Sequence, residues 1–173
     1  MLDFFQKYAI ISSMKKRKEF IIMDKIASFT VDHDKIVPGI YISRIDGDIT
    51  TYDMRTRKPN AGEYMDNITM HTFEHLFATY IRNSSIGENV IYFGPMGCQT
   101  GFYLLIRNAD NKVVLEEIKE VLKKILAHSG EVFGASRKEC GNYKNLDLSL
   151  AVIEAEKYLK AISQREITFK YPD

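Results

Sequence analysis

The sequence predicts an α+β domain in which a mainly antiparallel sheet packs against a layer of helices, forming a two-layer sandwich. Two observations support this prediction: a tight hairpin signal joins two β-rich runs, and helical patterns alternate with further short strand-like runs. Interleaved helices and strands with a hairpin connection are typical of this fold class. At 173 residues the chain is long enough for one domain with a substantial core. Residues 23–173 are therefore interpreted as a single domain.

The first half of this region contains the hairpin. Residues 39–45 and 48–55 are rich in β-formers and flank Asp46-Gly47, a strong signal for a tight turn. Upstream, residues 28–31 alternate polar and apolar side chains, which predicts a short additional strand. Residues 57–62 include proline, asparagine and glycine, so a loop is expected after the hairpin.

The second half predicts two more strands and two more helices. Residues 90–93 and 102–107 read as strands around an irregular segment at 94–101, which contains three glycines and a proline. A helix with Asn111 as its N-cap is expected to run to about His128, with Gly130 as its stop, and another helix is expected over about 147–162. The residues predicted to be buried are Val114, Ile118, Val121, Leu122 and Ile125 on the first helix and Leu150, Ile153, Ala155 and Leu159 on the second.

Residues 1–22 differ in character from the rest of the chain. Their apolar part precedes the basic run at 15–18, which is the reverse of the order in a secretory signal. Because Met23 reads as a better natural start, these residues are expected to be an extension from an upstream start. The alternative is an amphipathic helix packed on the domain.

Composition excludes several classes of partner. The formal net charge is +1, from 24 basic and 23 acidic residues, whereas nucleic acid and anionic membranes select basic surfaces. No apolar run approaches the roughly 20 residues that a membrane span needs. Two cysteines, Cys98 and Cys140, are too few for a disulfide framework. Free thiols point to a reducing compartment, so a cytoplasmic location is expected.

The segment around His71-Thr72-Phe73-Glu74-His75 is the strongest chemical signal. It lies in a helical pattern predicted over 69–83, with Thr69 as the N-cap. Side chains three and four apart share a helix face, so His71, Glu74 and His75 point the same way. Two imidazoles at this spacing can bind a divalent metal, and the carboxylate between them can act as an acid or a base. The H-x-x-E-H order is that of the inverted zinc-peptidase motif.

Two histidines do not complete a metal site, so a third ligand is required. The candidates are His33, Cys98, His128 and Cys140. His128 falls in the last turn of its helix, where a structural role is the simpler interpretation. Both cysteines lie in glycine-flanked loops, and residue spacing alone does not choose between them.

Three motifs in order carry a resemblance to a known family. His71-Thr72-Phe73-Glu74-His75 is followed by Pro95-Met96-Gly97-Cys98-Gln99-Thr100-Gly101 and then by Glu139-Cys140-Gly141. Together they resemble the S-ribosylhomocysteine lyase (LuxS) family, and the segments at 28–33, 53–55 and 59–60 are also similar to it. The likeness runs from about Met23 to about Leu159. H-x-x-E-H alone is a weak signal, whereas the three motifs in sequence are specific.

The resemblance implies a role for each candidate residue. His71, His75 and Cys140 would bind the metal, and Cys98 and Glu74 would form the catalytic acid–base pair. Ser28, His33 and Arg55 would hold the ribosyl part of the substrate. The resemblance also implies a fold similar to that of the processing-peptidase metal domains, with residues 23–173 as one catalytic metal-binding domain. Two departures from the family pattern are Arg57, where members often have cysteine, and residues 92–94, where Asp-Ile-Ser is common.

The same resemblance implies the reaction. Members cleave S-ribosylhomocysteine to homocysteine and 4,5-dihydroxy-2,3-pentanedione, the precursor of autoinducer-2, in quorum sensing and the activated methyl cycle of methionine. A thioether leaves readily only when it is β to a carbonyl, so the sugar carbonyl must first migrate by aldose–ketose isomerisation. Ferrous iron is the expected metal, and Zn²⁺ and Co²⁺ also suit a Cys/His/His set. A homodimer is expected, with its sites near the subunit boundary.

Three other readings of the motifs compete with this one. The first is a small inverted-motif metallopeptidase, in which the glutamate activates a metal-bound water. The second is a binding module whose metal is closed by Cys98 as fourth ligand, which would leave no position for substrate. The third is a deformylase-like hydrolase, but in that class the glutamate directly follows the first histidine.

Overall fold

The computed structural model describes residues 24–172 and contains one four-stranded sheet and three long helices. The predicted extension at 1–22 lies outside the described residues. The strands are β1 Gly39–Asp46, β2 Ile49–Arg55, β3 Val90–Pro95 and β4 Gly101–Arg107. The helices are α1 Asn67–Arg82, α2 Asn111–Leu126 and α3 Leu148–Ser163.

The sheet is antiparallel throughout, with strand order β1-β2-β4-β3. The predicted hairpin is confirmed: Asp46 pairs with Ile49, and Gly47 at the turn has a φ of +61°, a conformation that favours glycine. One sheet face packs against the helices. The α+β sandwich predicted from the sequence is therefore confirmed.

Aromatic side chains form the centre of the core. Phe73 and Phe77 of α1 stack on each other and on the sheet residues Phe93 and Phe102, with ring-centroid distances between 4.3 and 6.4 Å. All four side chains are buried. Because this face of α1 is fixed against the sheet, the opposite face is turned towards the loop that joins α2 and α3.

The predicted helix boundaries are close, but the caps differ. Helix α1 begins at Asn67, and its N-cap is Asp66, whose carboxylate accepts a hydrogen bond from the Thr69 backbone nitrogen at 2.7 Å. The expectation that Thr69 caps this helix is wrong. Asp110, rather than Asn111, caps α2 in the same way. In each case an aspartate precedes the predicted cap, and either residue type can fill the position.

The predicted buried stripe is confirmed on α2 and partly wrong on α3. All five predicted residues of α2 are buried. On α3, Ala155 is buried as expected, but Leu150 and Leu159 are only partly buried. Ile153 is 48% exposed, and Glu154 is buried. Glu154 is inside because Arg57 provides a partner for its carboxylate, and sequence periodicity does not reveal a partner so distant in the chain.

The strand predicted at 28–31 is also wrong. Residues Ala27–Phe29 form a 3₁₀ turn, and the Phe29 backbone nitrogen donates to the Ile26 carbonyl at 2.8 Å. Four alternating residues are too few to distinguish a strand from a turn that is stabilised by local hydrogen bonds. Within the described part of the chain, no helix is long and apolar enough to cross a membrane.

Candidate metal centre and active site

Helix α1 brings two imidazole rings together on its loop-facing side. His71 and His75 are one turn apart, and their ring centroids are 4.6 Å from each other. Both side chains are partly buried. The helical spacing and the fixed Phe73–Phe77 face together determine which way the histidines point.

The loop between α2 and α3, residues 127–147, orients both rings through backbone carbonyls. His71 Nδ1 lies 3.0 Å from the Asn145 carbonyl oxygen, and His75 Nδ1 lies 2.7 Å from the Phe133 carbonyl oxygen. A carbonyl can only accept, so each Nδ1 carries the proton. Each Nε2 is then left with a free lone pair, which is the arrangement found for histidines that ligate metals.

The same loop brings Cys140 to the two histidines. Cys140 Sγ lies 3.3 Å from His71 Nε2, and the Asn142 backbone nitrogen donates to the sulfur, also at 3.3 Å. The ligand atoms of His71, His75 and Cys140, here called the triad, all lie within 4.8 Å of one another. Two imidazole nitrogens and one thiolate sulfur suit Zn²⁺, Fe²⁺ or Co²⁺. The triad could therefore hold one metal ion.

Gly134 allows the loop to approach His75 closely. Its φ is +68°, and a Cβ added there would lie 3.3 Å from His75 Nδ1. A larger residue would be strained in its backbone and would also press on the ring that the preceding carbonyl holds. The glycine thus supports the contact between Phe133 and His75.

Glu74 lies beside the triad in an open cavity of about 270 Å³. Its neighbours in the cavity wall include His71, Pro95 and Asn142. Burial is the main cause that raises the pKa of the Glu74 carboxyl above its ordinary value. A half-buried carboxyl of this kind can exchange protons with a bound molecule.

Cys98 lies at the tight turn between β3 and β4. The Gln99 backbone nitrogen donates to the Met96 carbonyl at 2.9 Å, and Gln99 has a φ of +63°. The irregular segment expected at 94–101 is therefore shorter than predicted, because the strands extend through Pro95 and from Gly101. The turn leaves the Cys98 side chain exposed, so its thiol is accessible to small molecules.

A buried ion pair lies next to Cys98. Arg55 Nε and Nη2 donate to the two carboxylate oxygens of Asp53, at 3.0 and 2.5 Å. Arg55 Nη1 donates to Thr100 Oγ1 at 2.6 Å and lies 3.7 Å from Cys98 Sγ. We call Asp53, Arg55, Cys98 and Thr100 the Arg55 cluster. Its guanidinium can donate hydrogen bonds to a negatively charged ligand that binds beside it.

Ser28 and His33 accompany Arg55 in a small cavity on the side of the sheet away from the helices. Its wall also includes Tyr103 and Tyr171. His128, a weaker ligand candidate, lies elsewhere: its ring is 2.8 Å from the Tyr80 hydroxyl and contacts Phe133. The structural interpretation of His128 agrees with these contacts.

The predicted site residues thus form two groups within one chain. His71, Glu74, His75 and Cys140 lie between α1 and the 127–147 loop, whereas Ser28, His33, Arg55 and Cys98 gather around the end of β2. In residues 24–172, no direct hydrogen bond joins Cys98 or Arg55 to a member of the triad. Pro95, in the wall of the Glu74 cavity, leads into the turn that carries Cys98.

Comparison with known proteins identifies the family. A family model described as S-Ribosylhomocysteinase (LuxS) matches residues 26–168. The chain belongs to the LuxS family. Relatives named S-ribosylhomocysteine lyase include that of Borreliella afzelii (strain PKo), 45% identical over 157 residues, and that of Finegoldia magna, 43% identical over 157 residues. Each alignment covers 87% of this chain and 100% of the relative. The Clostridium acetobutylicum lyase is 41% identical over 158 residues.

The two departures from the LuxS pattern have separate structural roles. Arg57 Nη2 donates to Glu154 Oε2 at 2.5 Å and so links the end of β2 to α3. In the 92–94 segment, Phe93 packs in the aromatic core and Tyr92 is 49% exposed on the sheet. Neither replacement is hydrogen-bonded to the triad within the described residues.

Several contributors to this LuxS site were not predicted as site residues. Asp53 could have been found, because residues two apart on a strand share a face and Asp53 therefore accompanies Arg55. The carbonyls of Phe133 and Asn145 carry no residue-specific signal, so the sequence does not reveal them. Tyr171 is 118 positions from Asp53 in the chain and has no local pattern that points to it.

Proposed function

We propose that the protein catalyses the cleavage of S-ribosylhomocysteine to homocysteine and 4,5-dihydroxy-2,3-pentanedione at an open metal centre formed by the triad. The observation that carries the proposal is the orientation of the histidines. Both Nδ1 atoms are hydrogen-bonded to loop carbonyls, and both Nε2 atoms are available beside Cys140 Sγ. Family membership supplies the substrate class.

Three protein ligands suit a catalytic metal site, because a fourth position is left for substrate. When bound, a divalent cation supplies a Lewis acid that stabilises negative charge on a sugar oxygen during carbonyl migration. We take Fe²⁺ as the native ion on the family resemblance, with Zn²⁺ or Co²⁺ as substitutes that the same ligands accept. The Asn142 backbone N–H donates to Cys140 Sγ and so helps to orient this sulfur beside the histidines.

Cys98 and Glu74 are the proposed proton carriers. Cys98 is proposed to remove a proton from the carbon next to the carbonyl, and the Arg55 guanidinium lies 3.7 Å from its sulfur. Glu74 transfers protons between sugar oxygens. In the final elimination a proton leaves the carbon next to the carbonyl, the carbon–sulfur bond breaks, and Glu74 protonates the departing sulfur to give the homocysteine thiol.

Ser28, His33 and Arg55 are proposed to hold the ribosyl part. They line one cleft of about 10 Å³, which has room for a single hydroxyl rather than a whole sugar, and their hydroxyl, imidazole and guanidinium groups can hydrogen-bond to a sugar hydroxyl there. This is a binding role, whereas Cys98 and Glu74 act on the reacting bonds.

We further propose that the active form is a cytoplasmic homodimer with its sites near the subunit boundary. A cavity of about 400 Å³ is lined by the exposed side chains of Ile26, which precedes the 3₁₀ turn, and Tyr92 of β3, together with Leu105 of β4; it is an apolar surface suited to a partner subunit. Both cysteines are free thiols, and such thiols persist in a reducing compartment. Sedimentation of the metal-loaded protein would test the dimer.

Release of homocysteine is the direct test of the lyase. The metal-loaded protein is incubated with S-ribosylhomocysteine, and the new thiol is quantified after the protein is removed. We expect one homocysteine for each substrate consumed. The Cys98→Ala variant serves as the matched control, with its metal retained and no thiol released. Hydrolysis of a peptide substrate without thiol release would contradict the proposal and favour the peptidase reading.

A further inference from the structure

The C-terminal tail after α3 returns to the sheet and is fixed there. The Ile42 backbone nitrogen donates to the Phe169 carbonyl at 2.8 Å, and Tyr41 and Phe169 form an isolated parallel bridge. Two residues later, the Tyr171 ring stacks on Tyr41 with a centroid distance of 4.9 Å and an interplanar angle of 9°. These contacts hold Tyr171 in one place although it lies close to the chain end.

The Tyr171 hydroxyl reaches into the sheet and donates to Asp53 Oδ2 at 2.9 Å. Asp53 is only 1% exposed, so this hydrogen bond is shielded from water. Burial and the adjacent Asp53 charge raise the pKa of Tyr171, which keeps its hydroxyl protonated and able to donate.

Asp53 in turn fixes the position of Arg55. Its two oxygens bind Nε and Nη2 of the guanidinium, a bidentate arrangement that fixes the plane of the group. The remaining nitrogen, Nη1, donates to Thr100 Oγ1 and faces Cys98 Sγ at 3.7 Å. A continuous chain of polar contacts therefore runs from the tail to the thiol that we propose as the base.

We propose that Tyr171 is a positioning residue of the active site: it fixes Asp53 and thereby holds the Arg55 guanidinium beside Cys98 and the ribosyl pocket. The inference rests on the proposed roles of Cys98 and Arg55. The LuxS family model matches only to residue 168, so Tyr171 lies beyond the matched region. Tyr171 also lines the cleft that contains Ser28, His33 and Arg55, the residues that we propose hold the ribosyl part.

Selective alkylation of Cys98 tests this positioning without turnover. The metal-loaded protein is treated with anionic iodoacetate and, separately, with neutral iodoacetamide, and the modified Cys98 peptide is quantified by mass spectrometry. The ratio of the two rates reports the positive potential that Arg55 creates at the sulfur. Arg55→Met provides the value without a guanidinium. Tyr41→Phe is the matched control, because the Tyr41 hydroxyl donates to the Val37 carbonyl and not to Asp53.

We expect Tyr171→Phe to shift the iodoacetate preference severalfold towards the Arg55→Met value and to lower kcat/KM roughly tenfold, as the loss of one hydrogen bond to a charged group implies. A variant that ends at Lys170 should behave in the same way, since it keeps the Phe169 bridge. Tyr41→Phe should match the wild type in both measurements. A wild-type ratio in Tyr171→Phe, or equal shifts in both tyrosine variants, would overturn the inference. If the wild type releases no homocysteine, the proposed function fails, while the alkylation ratio still reports on Tyr171.

Discussion

The triad and the Arg55 cluster are built in different ways. The triad combines two side chains from one turn of α1 with the Cys140 sulfur of the 127–147 loop, and two carbonyls of the same loop orient the histidines. The Arg55 cluster combines the end of β2 with the turn before β4, and the pairing of Arg55 with Gly101 brings these two segments together. The first group therefore depends on how one loop folds over a helix, and the second on sheet register.

This difference predicts different responses to mutation. A loop that is held by a few hydrogen bonds can move, so the triad should depend on a bound ion for part of its order. The Arg55 cluster lies in a paired sheet. Arg55 is 3% exposed there, and its Nε and Nη2 groups both donate hydrogen bonds to the Asp53 carboxylate. Its geometry should persist when the metal is removed.

The largest expected contrast is between the two cysteines. Cys140→Ala should reduce the metal content from about one ion per chain to nearly none, because two imidazoles alone bind weakly. Cys98→Ala should keep its metal, since Cys98 contacts Arg55 and Thr100. Both variants should lose lyase activity. Elemental analysis after gel filtration measures the content, and loss of metal from Cys98→Ala would favour the closed four-ligand site.

Glu74→Gln tests chemistry on the triad side while it preserves the shape of the side chain. We expect kcat to fall about 10²–10⁴-fold, the usual contribution of a positioned acid or base, with the metal content unchanged. Thiol release under saturating substrate gives kcat, and elemental analysis gives the metal content. Thr79→Val, on the same helix with its hydroxyl bonded to the His75 carbonyl, provides a control for helix perturbation. Activity near the wild-type level in Glu74→Gln would remove the carboxyl from the mechanism.

The sequence predicted the helix-borne part of the site better than the loop-borne part. His71, Glu74 and His75 follow from a helical period that any amphipathic helix obeys. The choice of Cys140 over Cys98 came from family resemblance, because the path of a 21-residue loop is determined by tertiary contacts such as that between Asn145 and His71. The strand pairing of the hairpin was predictable for a similar reason: a two-residue turn sets the register locally.

Gly134→Ala probes the support that the loop gives to the triad. The substitution strains a backbone with φ +68° and places a methyl group 3.3 Å from His75 Nδ1, so we expect metal affinity to fall about tenfold, as it does when an outer partner of a ligand is disturbed. Gly130→Ala is the matched control, since φ is +97° there and nothing lies within 4 Å of the added Cβ. Competition with a chromogenic chelator measures the affinity. Equal losses in both variants would attribute the effect to backbone strain alone.

Burial of charge was the least predictable feature. Helical periodicity predicted that Ile153 lies on the buried face of α3. The helix buries Glu154 instead, because its carboxylate is hydrogen-bonded to Arg57, 97 residues earlier in the chain. This ion pair joins the strand that carries Arg55 to the helix that follows the Cys140 loop. It is therefore a direct connection between the elements that carry the two groups of site residues.

Glu154→Gln tests this connection and should have the smallest effect. Burial raises the pKa of Glu154 above 4.5, although Arg57, Thr56 and Lys157 oppose the shift. The folded protein then holds this proton more tightly than the unfolded chain, so the contribution of Glu154 to the free energy of unfolding is full below pH 4.5 and is lost as pH rises through the folded pKa. Urea unfolding across this range should show a weaker decline in Glu154→Gln. Glu156→Gln, at an exposed position of the same helix, should follow the wild type. Parallel curves for Glu154→Gln and the wild type would mean that the pKa of Glu154 is the same in the folded and unfolded chains, so that the charge of Arg57 cancels the effect of burial.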